Sequence, residues 1–367
     1  MSKKIIITII LVLFLLFGLV TLIGLLGLYK YIKSPNYVDL DDTTSHECLN
    51  IDPTPVDIPD PFEKSNAIFT VNRPEYNENM PELKWTFEEY PKVDSSTSNQ
   101  HIIYKSFCEI TGYSCQEDEF EGEKWISLDY QDLDKIGTQK FEDKIKTSKT
   151  HNSYLNLIDG TVDLILVASL PSEEEQEYAK QSGVQVELTP IAKDAFIFLK
   201  HKENPVESLS LTNLKEIYSG KISNWEDLCS KENKINAYVR NPNSGSQETM
   251  KLLIMQGAEL IEMEEMIKPS MIGLINKLDS DPNGLGYSFF YYKNAMTYAD
   301  NVELLKINNI LPTKDTISAE KYELTTYVYI VMRKDNENEQ ANILKNWLLS
   351  PHGQEVIDEV GYVRYFK

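Results

Sequence analysis

Residues 162–168 read VDLILVA, and this run restricts the fold more than any other in the chain. Beyond Asp163 every side chain is apolar, so a strand here has no face to offer water. Such a strand needs partners on both edges and a layer on both sides, the setting of a parallel sheet covered by helices. The flanks agree. Upstream, Tyr154, Leu155 and Ile158 recur at helical spacing after a start near Thr150, and Gly160 is the stop. Downstream, Ser172 and Glu175 form a capping box, and the helix it opens closes at Gly183 before a strand at 184–188.

The alternation continues in both directions. Residues 90–93 predict a brief strand. The hydroxyl-rich DSSTSN at 94–99 then opens a helix marked by Ile103, Phe107 and Ile110 and stopped near Gly112. Buried strands are predicted at 195–199, 284–290 and 326–332, with a short helix carrying Leu214, Ile217 and Tyr218 between the first two. Helices carrying Leu344, Trp347 and Leu348, then Val356 and Ile357, close the chain. Strands and helices in this order predict a doubly wound α/β architecture in two lobes.

One join carries site chemistry. Residues 240–250 read RNPNSGSQETM. Before them Ile235, Ala237 and Val239 alternate with polar residues, and after them Met250, Leu253 and Ile254 follow helical spacing, giving strand, loop, helix. Ser244 and Gln247 fit an S-x-x-Q capping box, with Gln247 expected to reach back to the cap. Gly245 lets backbone come close. A helix start offers unpaired N–H groups and partial positive charge, and Arg240 adds a full charge with a bidentate fork. This is the composition of an oxyanion clamp, although a plain capped helix beside a solvated arginine has the same residues. Thr97 and Ser98 at one helix start and Thr150 at another add hydroxyl donors, and their number favours the clamp.

The N-terminus is different in kind. Lys3 and Lys4 precede an uncharged apolar run at 5–28, ended by Lys30 and Lys33. The run is long enough for a hydrocarbon core of about 30 Å and too long for the apolar part of a cleavable signal. Residues 1–33 are therefore expected to be an uncleaved single-pass membrane anchor, with the large domain outside the cell. Residues 34–62, rich in Asp, Thr, Ser and Pro, are expected to be an extended tether. Residues 63–89 form an N-terminal extension in which Ile68, Phe69, Val71, Trp85 and Phe87 suggest packing but no site chemistry.

The net charge of −21 argues against nucleic acid as a partner. The four cysteines, Cys48, Cys108, Cys115 and Cys229, form no CxxC pair. Buried thiols are the expected state; Cys108 and Cys115 could share a helix face, and a disulfide between them is the alternative outside the cell. The histidines at 46, 101, 151, 201 and 352 show no ligand spacing, so neither a metal nor a cofactor is expected.

Seven segments in order carry a resemblance: YPKVDSSTS (90–98), LIDGTVDLILVA (157–168), PIAKDAFIFL (190–199), LKEIYSGKISNW (214–225), RNPNSGSQ (240–247), GLGYS (284–288) and SPHGQEVIDEVGYV (350–363). Together they are similar to the extracellular phosphate-binding proteins of ABC importers, within the type II periplasmic-binding-protein superfamily. The resemblance implies two lobes, 90–190 with 311–367 and 191–310, closing on an anion between them. It places ligand contacts on Thr97, Ser98, Thr150, Arg240, Ser244, Gly245 and Ser246. Two positions depart from the family pattern. Ser95 stands where glycine is usual, and the acidic residue that accepts a hydrogen bond from protonated phosphate falls on Ala168, beside Ser169. The second departure leaves the choice of anion open.

The expectation is thus a membrane-anchored extracellular solute-binding protein that captures an oxyanion, phosphate first, for ABC-type import, with an importer permease as partner. An anchored sensor or interaction domain of the same fold, uncoupled from transport, is the alternative. An enzyme is disfavoured: Ser246, His151 and Asp163 could be drawn as a triad, but the serine lacks the flanking glycines of a nucleophile elbow.

Overall fold

The computed structural model describes residues 57–229, 233–261 and 264–366, all within one compact unit, Glu47–Lys367. The expected membrane anchor at 1–33, most of the expected tether, His46 and Cys48 lie outside the described residues. Among those described, no helix is long and apolar enough to cross a membrane.

Fixed structure begins before residue 63. Asp60 caps a 3-10 turn, Pro61–Lys64, by accepting the Phe62 N–H at 2.9 Å. Arg73 lies 3.9 Å over the Phe62 ring and 3.3 Å from the Asp60 carboxylate, while Phe62 meets Tyr327 edge-on. The Asp57 carbonyl accepts a hydrogen bond from Gln256 Nε2 at 2.8 Å. Strand β1 (Phe69–Val71) then joins the main sheet. The extension is a packed strap, which explains its apolar residues.

Strand β2 (Val93–Ser95) leads through a 3-10 turn, Thr97–Asn99, into helix α1 (Gln100–Thr111). Helix α1 buries Ile102, Ile103, Phe107 and Ile110 and ends at Gly112, whose φ of 75° is the left-handed cap that glycine adopts without strain. A hairpin follows, β3 (Cys115–Phe120) and β4 (Glu123–Leu128). Cys115 therefore opens a strand and shares no helix face with Cys108. The two are joined by a disulfide with Cα atoms 5.9 Å apart, which corrects the expectation of free buried thiols. The left-handed turn at Gly112 brings them together.

Helix α2 (Lys149–Ile158), strand β5 (Leu164–Val167) and helix α3 (Glu173–Gln181) complete the first run. The Ser172–Glu175 capping box of α3 is present in both directions. All of β5 is buried: Ile165 and Val167 pack with Tyr154 and Leu157 of α2 and Ala179 of α3, and Leu164 and Leu166 join the larger cluster on the opposite face.

The next strand, β6 (Val186–His201), is sixteen residues long and serves both lobes. Helix α4 (Leu211–Tyr218), strands β7 (Asn236–Ala237) and β8 (Val239–Arg240), helix α5 (Gly245–Met250) with a π-helical continuation, Lys251–Met255, strand β9 (Ile267–Lys268), helix α6 (Met271–Asp279) and strands β10 (Gly284–Phe289) and β11 (Val302–Leu304) build the second lobe. The chain then returns through β12 (Thr325–Arg333), α7 (Glu339–Leu348), α8 (Pro351–Glu359) and β13 (Val363–Arg364).

The sheet order is β2-β5-β12-β6-β10-β7, with β1, β11 and β13 also on β6. Strand β5 pairs parallel with β2 and antiparallel with β12, so the sheet is mixed and not the parallel one its composition predicts. The expected separate strands at 184–188 and 195–199 are one. Pro190, which lacks an N–H, sits where the register with β12 shifts from Tyr329 opposite Pro190 to Val328 opposite Ala192. The irregularity lets the strand pass a residue that would end a regular ladder.

Candidate functional site

The two lobes face each other across a cleft of about 470 Å3. On the first-lobe side, buried Asp94 sets the frame. Its Oδ1 accepts the Ser148 N–H at 2.9 Å and its Oδ2 accepts Asn156 Nδ2 at 2.7 Å, tying the end of β2 to the start of α2. Thr97 and Ser98 are thereby held beside Thr150. Lys149, immediately before Thr150, has a φ of 67°, an uncommon conformation for a lysine that turns the chain into the helix at the cleft wall. Among the described residues the hydroxyls of Thr97 and Thr150 have no protein hydrogen-bond partner.

The second-lobe side is centred on Arg240, 6% exposed. Its backbone N–H donates to Gln247 Oε1 at 3.1 Å and to the Tyr287 hydroxyl at 2.9 Å. Its guanidinium is aimed by neutral acceptors: Nε donates to the Lys268 carbonyl at 3.0 Å, Nη2 to the Pro269 carbonyl at 3.4 Å and Nη1 to Ser246 Oγ at 3.3 Å. No carboxylate pairs with it among the described residues. Burial draws its pKa down from the usual value, the direction for a desolvated cation; it remains charged.

Ser244 caps α5 by accepting the Gln247 N–H at 3.3 Å, but Gln247 does not return the bond as expected from the capping box. Its side chain turns to Arg240 and Tyr287. The N–H groups of Gly245 and Ser246 have no acceptor among the described residues, as befits the first turn of a helix. Gly245 is required sterically: a Cβ there would lie 2.9 Å from Thr150 Oγ1 and 3.2 Å from Ser169 Oγ. The lobes are in contact at this point.

All seven residues singled out in the sequence, Thr97, Ser98, Thr150, Arg240, Ser244, Gly245 and Ser246, line this one cleft, and Ala168 lines it with them. The Ser95 hydroxyl does not line it; it is buried and without a hydrogen-bond partner. The imagined triad is not assembled. Ser246 bonds Arg240, His151 Nδ1 lies 3.0 Å from Glu175, and Asp163 accepts the Lys92 N–H at 2.7 Å. Glu175 is buried, and burial pushes its carboxyl up to about 7. Asp94, Gln247 and Tyr287 as supports, and Glu123 and Tyr292 in the cleft wall, were not anticipated from sequence. Gly122, a turn residue just ahead of Trp125, Ile126 and Leu128, was the available signal for the hairpin that delivers Glu123.

Helix starts and a buried cation facing a cleft between two lobes on a shared sheet define the two-lobed α/β solute-binding architecture. Residues 137–360 match the family model described as a PBP superfamily domain, and the chain belongs to that family. It is 28% identical over 201 residues to the phosphate-binding protein PstS of Borreliella burgdorferi, covering 53% of this chain and 69% of that protein. It is 26% identical over 224 residues to the phosphate-binding protein PstS of Staphylococcus aureus, covering 58% and 67%. Among solved structures it shares its fold with a putative phosphate ABC transporter substrate-binding protein with bound phosphate from Clostridium perfringens. That match has a TM-score of 0.56 and 20% identity, over 75% of this chain and 99% of that one. An ABC-type phosphate transport receptor from Vibrio cholerae matches with a TM-score of 0.53 and 18% identity, over 74% and 99%.

Proposed function

We propose that this chain is a solute-binding protein that captures a tetrahedral oxyanion, phosphate first, and hands it to the permease of an ABC-type importer. The observation that carries the reading is Arg240, a buried cation held by neutral acceptors with no carboxylate partner among the described residues. An isolated buried charge is costly, and an anion in the cleft would offset that cost. Thr97, Ser98, Thr150 and Ser246 would donate through hydroxyls, Ser244 would hold the helix start, and Gly245 with Ser246 would donate backbone N–H groups. The names of the relatives point to phosphate and to ABC transport. For location we propose a single-pass anchor at 5–28 with the domain outside the cell, supported by the uncharged apolar run and by the Cys108–Cys115 disulfide, which suits an oxidising compartment.

Calorimetric titration of the full-length chain in detergent tests the binding step. One saturable site for phosphate is expected; absence of heat with phosphate, sulfate and molybdate alike would end the proposal.

A further inference from the structure

Two opposite charges line the cleft and do not pair with each other. Arg240 is the buried cation of the clamp, and Glu123, at the start of β4, is the only carboxylate-bearing residue among those described that line the same cleft. Glu123 accepts a hydrogen bond from the Tyr292 hydroxyl, and Tyr292 lies within electrostatic range of Arg240. Among the described residues no lysine or arginine pairs with the carboxylate; partial burial raises its pKa, and Glu121 acts in the same direction. The lysine of the lining, exposed Lys149, stands at the clamp end beside Thr150. The wall around Glu123 is aromatic and apolar. Glu123 and Trp125 alternate with Lys124 along β4, so the strand sends both to one face, and both line the cleft. Trp125 is half-buried and stacks on no ring among the described residues. Met271 at the start of α6 and Phe289 at the end of β10 line the cleft with Tyr292. At about 470 Å3 the cleft falls within the range of pockets for small organic molecules, roughly 300–1,000 Å3, and an inorganic anion in the clamp uses only part of that space.

A half-buried carboxylate without a counter-ion is costly for the same reason as Arg240 is, and a ligand cation beside it would offset that cost. An unstacked indole face in the same wall adds cation–π attraction for an ammonium. A plain anion supplies only half of what these two charges call for. We infer that the cleft takes a zwitterionic phosphate ester, an aminoalkyl phosphate, with its phosphoryl group in the clamp at Arg240 and its ammonium between the Glu123 carboxylate and the Trp125 ring. Tyr292 holds the carboxylate in place from the second lobe. The inference rests on the oxyanion reading of the site and names the ligand class that would satisfy both charges.

Calorimetric titration of the full-length chain in detergent with O-phosphorylethanolamine, glycerol 3-phosphate and inorganic phosphate tests it, near neutral pH where the amine is an ammonium. The two esters share the phosphoryl group and differ in the ammonium. Wild-type protein should bind O-phosphorylethanolamine about tenfold to a hundredfold tighter than glycerol 3-phosphate, the range for a hydrogen bond to an ionised group. In Glu123→Gln that preference should vanish, with glycerol 3-phosphate gaining affinity as the repelling carboxylate is lost. Trp125→Leu should reduce the preference severalfold, by about the worth of a cation–π contact. Equal affinities for the two esters in the wild type overturn the inference. A Glu123→Gln variant that weakens both esters by one factor overturns it too, because Glu123 is then only a link between hairpin and second lobe. Inorganic phosphate separates the two readings: protein that binds it without preferring either ester loses this inference alone, whereas protein that binds none of the three loses the oxyanion reading.

Discussion

The two walls of the cleft are built on opposite plans. The second-lobe wall is held by protein contacts: Arg240 is bound at its backbone by Gln247 and Tyr287 and at its guanidinium by Lys268, Pro269 and Ser246. The first-lobe wall is locked only in its backbone, through Asp94, and leaves the Thr97 and Thr150 hydroxyls without protein partners. The buried arginine lies on one side, and hydroxyl donors without protein partners among the described residues lie on the other. A preformed cationic wall of this kind can engage an anion without reorganising, and in the proposed reading the hydroxyl wall would complete the site.

Removing the charge should break this division most severely. Arg240→Ala is expected to cost roughly 2–5 kcal/mol of phosphate affinity, the scale for losing one partner of a buried charged pair. The unliganded thermal midpoint should move by only a few degrees, because no ion pair is lost. Calorimetry and a circular-dichroism melt read the two halves of this expectation. Retained affinity with an intact fold would take Arg240 out of the site.

The contact between the walls comes next. Gly245→Ala sets a Cβ 2.9 Å from Thr150 Oγ1, so closure must be looser and affinity should fall about tenfold, or about 1.4 kcal/mol. Thr150→Ala removes the obstructing oxygen. The double variant should therefore lose less than the sum of the single losses. Strict additivity would mean the walls do not meet there in the bound state.

The smallest effect should come from one adjustable donor. Thr97→Val is expected to lose about 1 kcal/mol of affinity, near the ordinary worth of a neutral hydrogen bond. A loss as large as that of Arg240→Ala would abolish the contrast between the walls.

What the sequence made legible follows from how local each determinant is. The continuous apolar run at β5, the left-handed stop at Gly112 and the Ser172–Glu175 box are settled by residues within a turn or two of one another. Hence they could be read. The seven candidate residues, which line one cleft, were likewise singled out because each lies at a helix start or strand end with its own signature. Long-range pairing was hidden. The continuity of β6 past Pro190 depends on β12, more than a hundred residues away, and the antiparallel edge of β5 depends on the same strand. Gln247 carries the pattern of a capping box but obeys Arg240 and Tyr287, partners across the fold that no local pattern reveals. The disulfide needed the turn geometry at Gly112 to be known first.

The position of β12 also imposes an order of assembly. It lies between β5 and β6 in the finished sheet, yet it is made of residues 325–333. Every strand that pairs with the far half of β6 in the second lobe, through β11 at Leu304, precedes it in the chain. As the polypeptide emerges from its N-terminus, the second lobe can therefore close its sheet while the first still lacks the strand that joins its two parts, leaving unpaired edges on β5 and β6. The lobe whose first strand comes earliest in the chain thus receives its joining strand after every strand of the other lobe has been made.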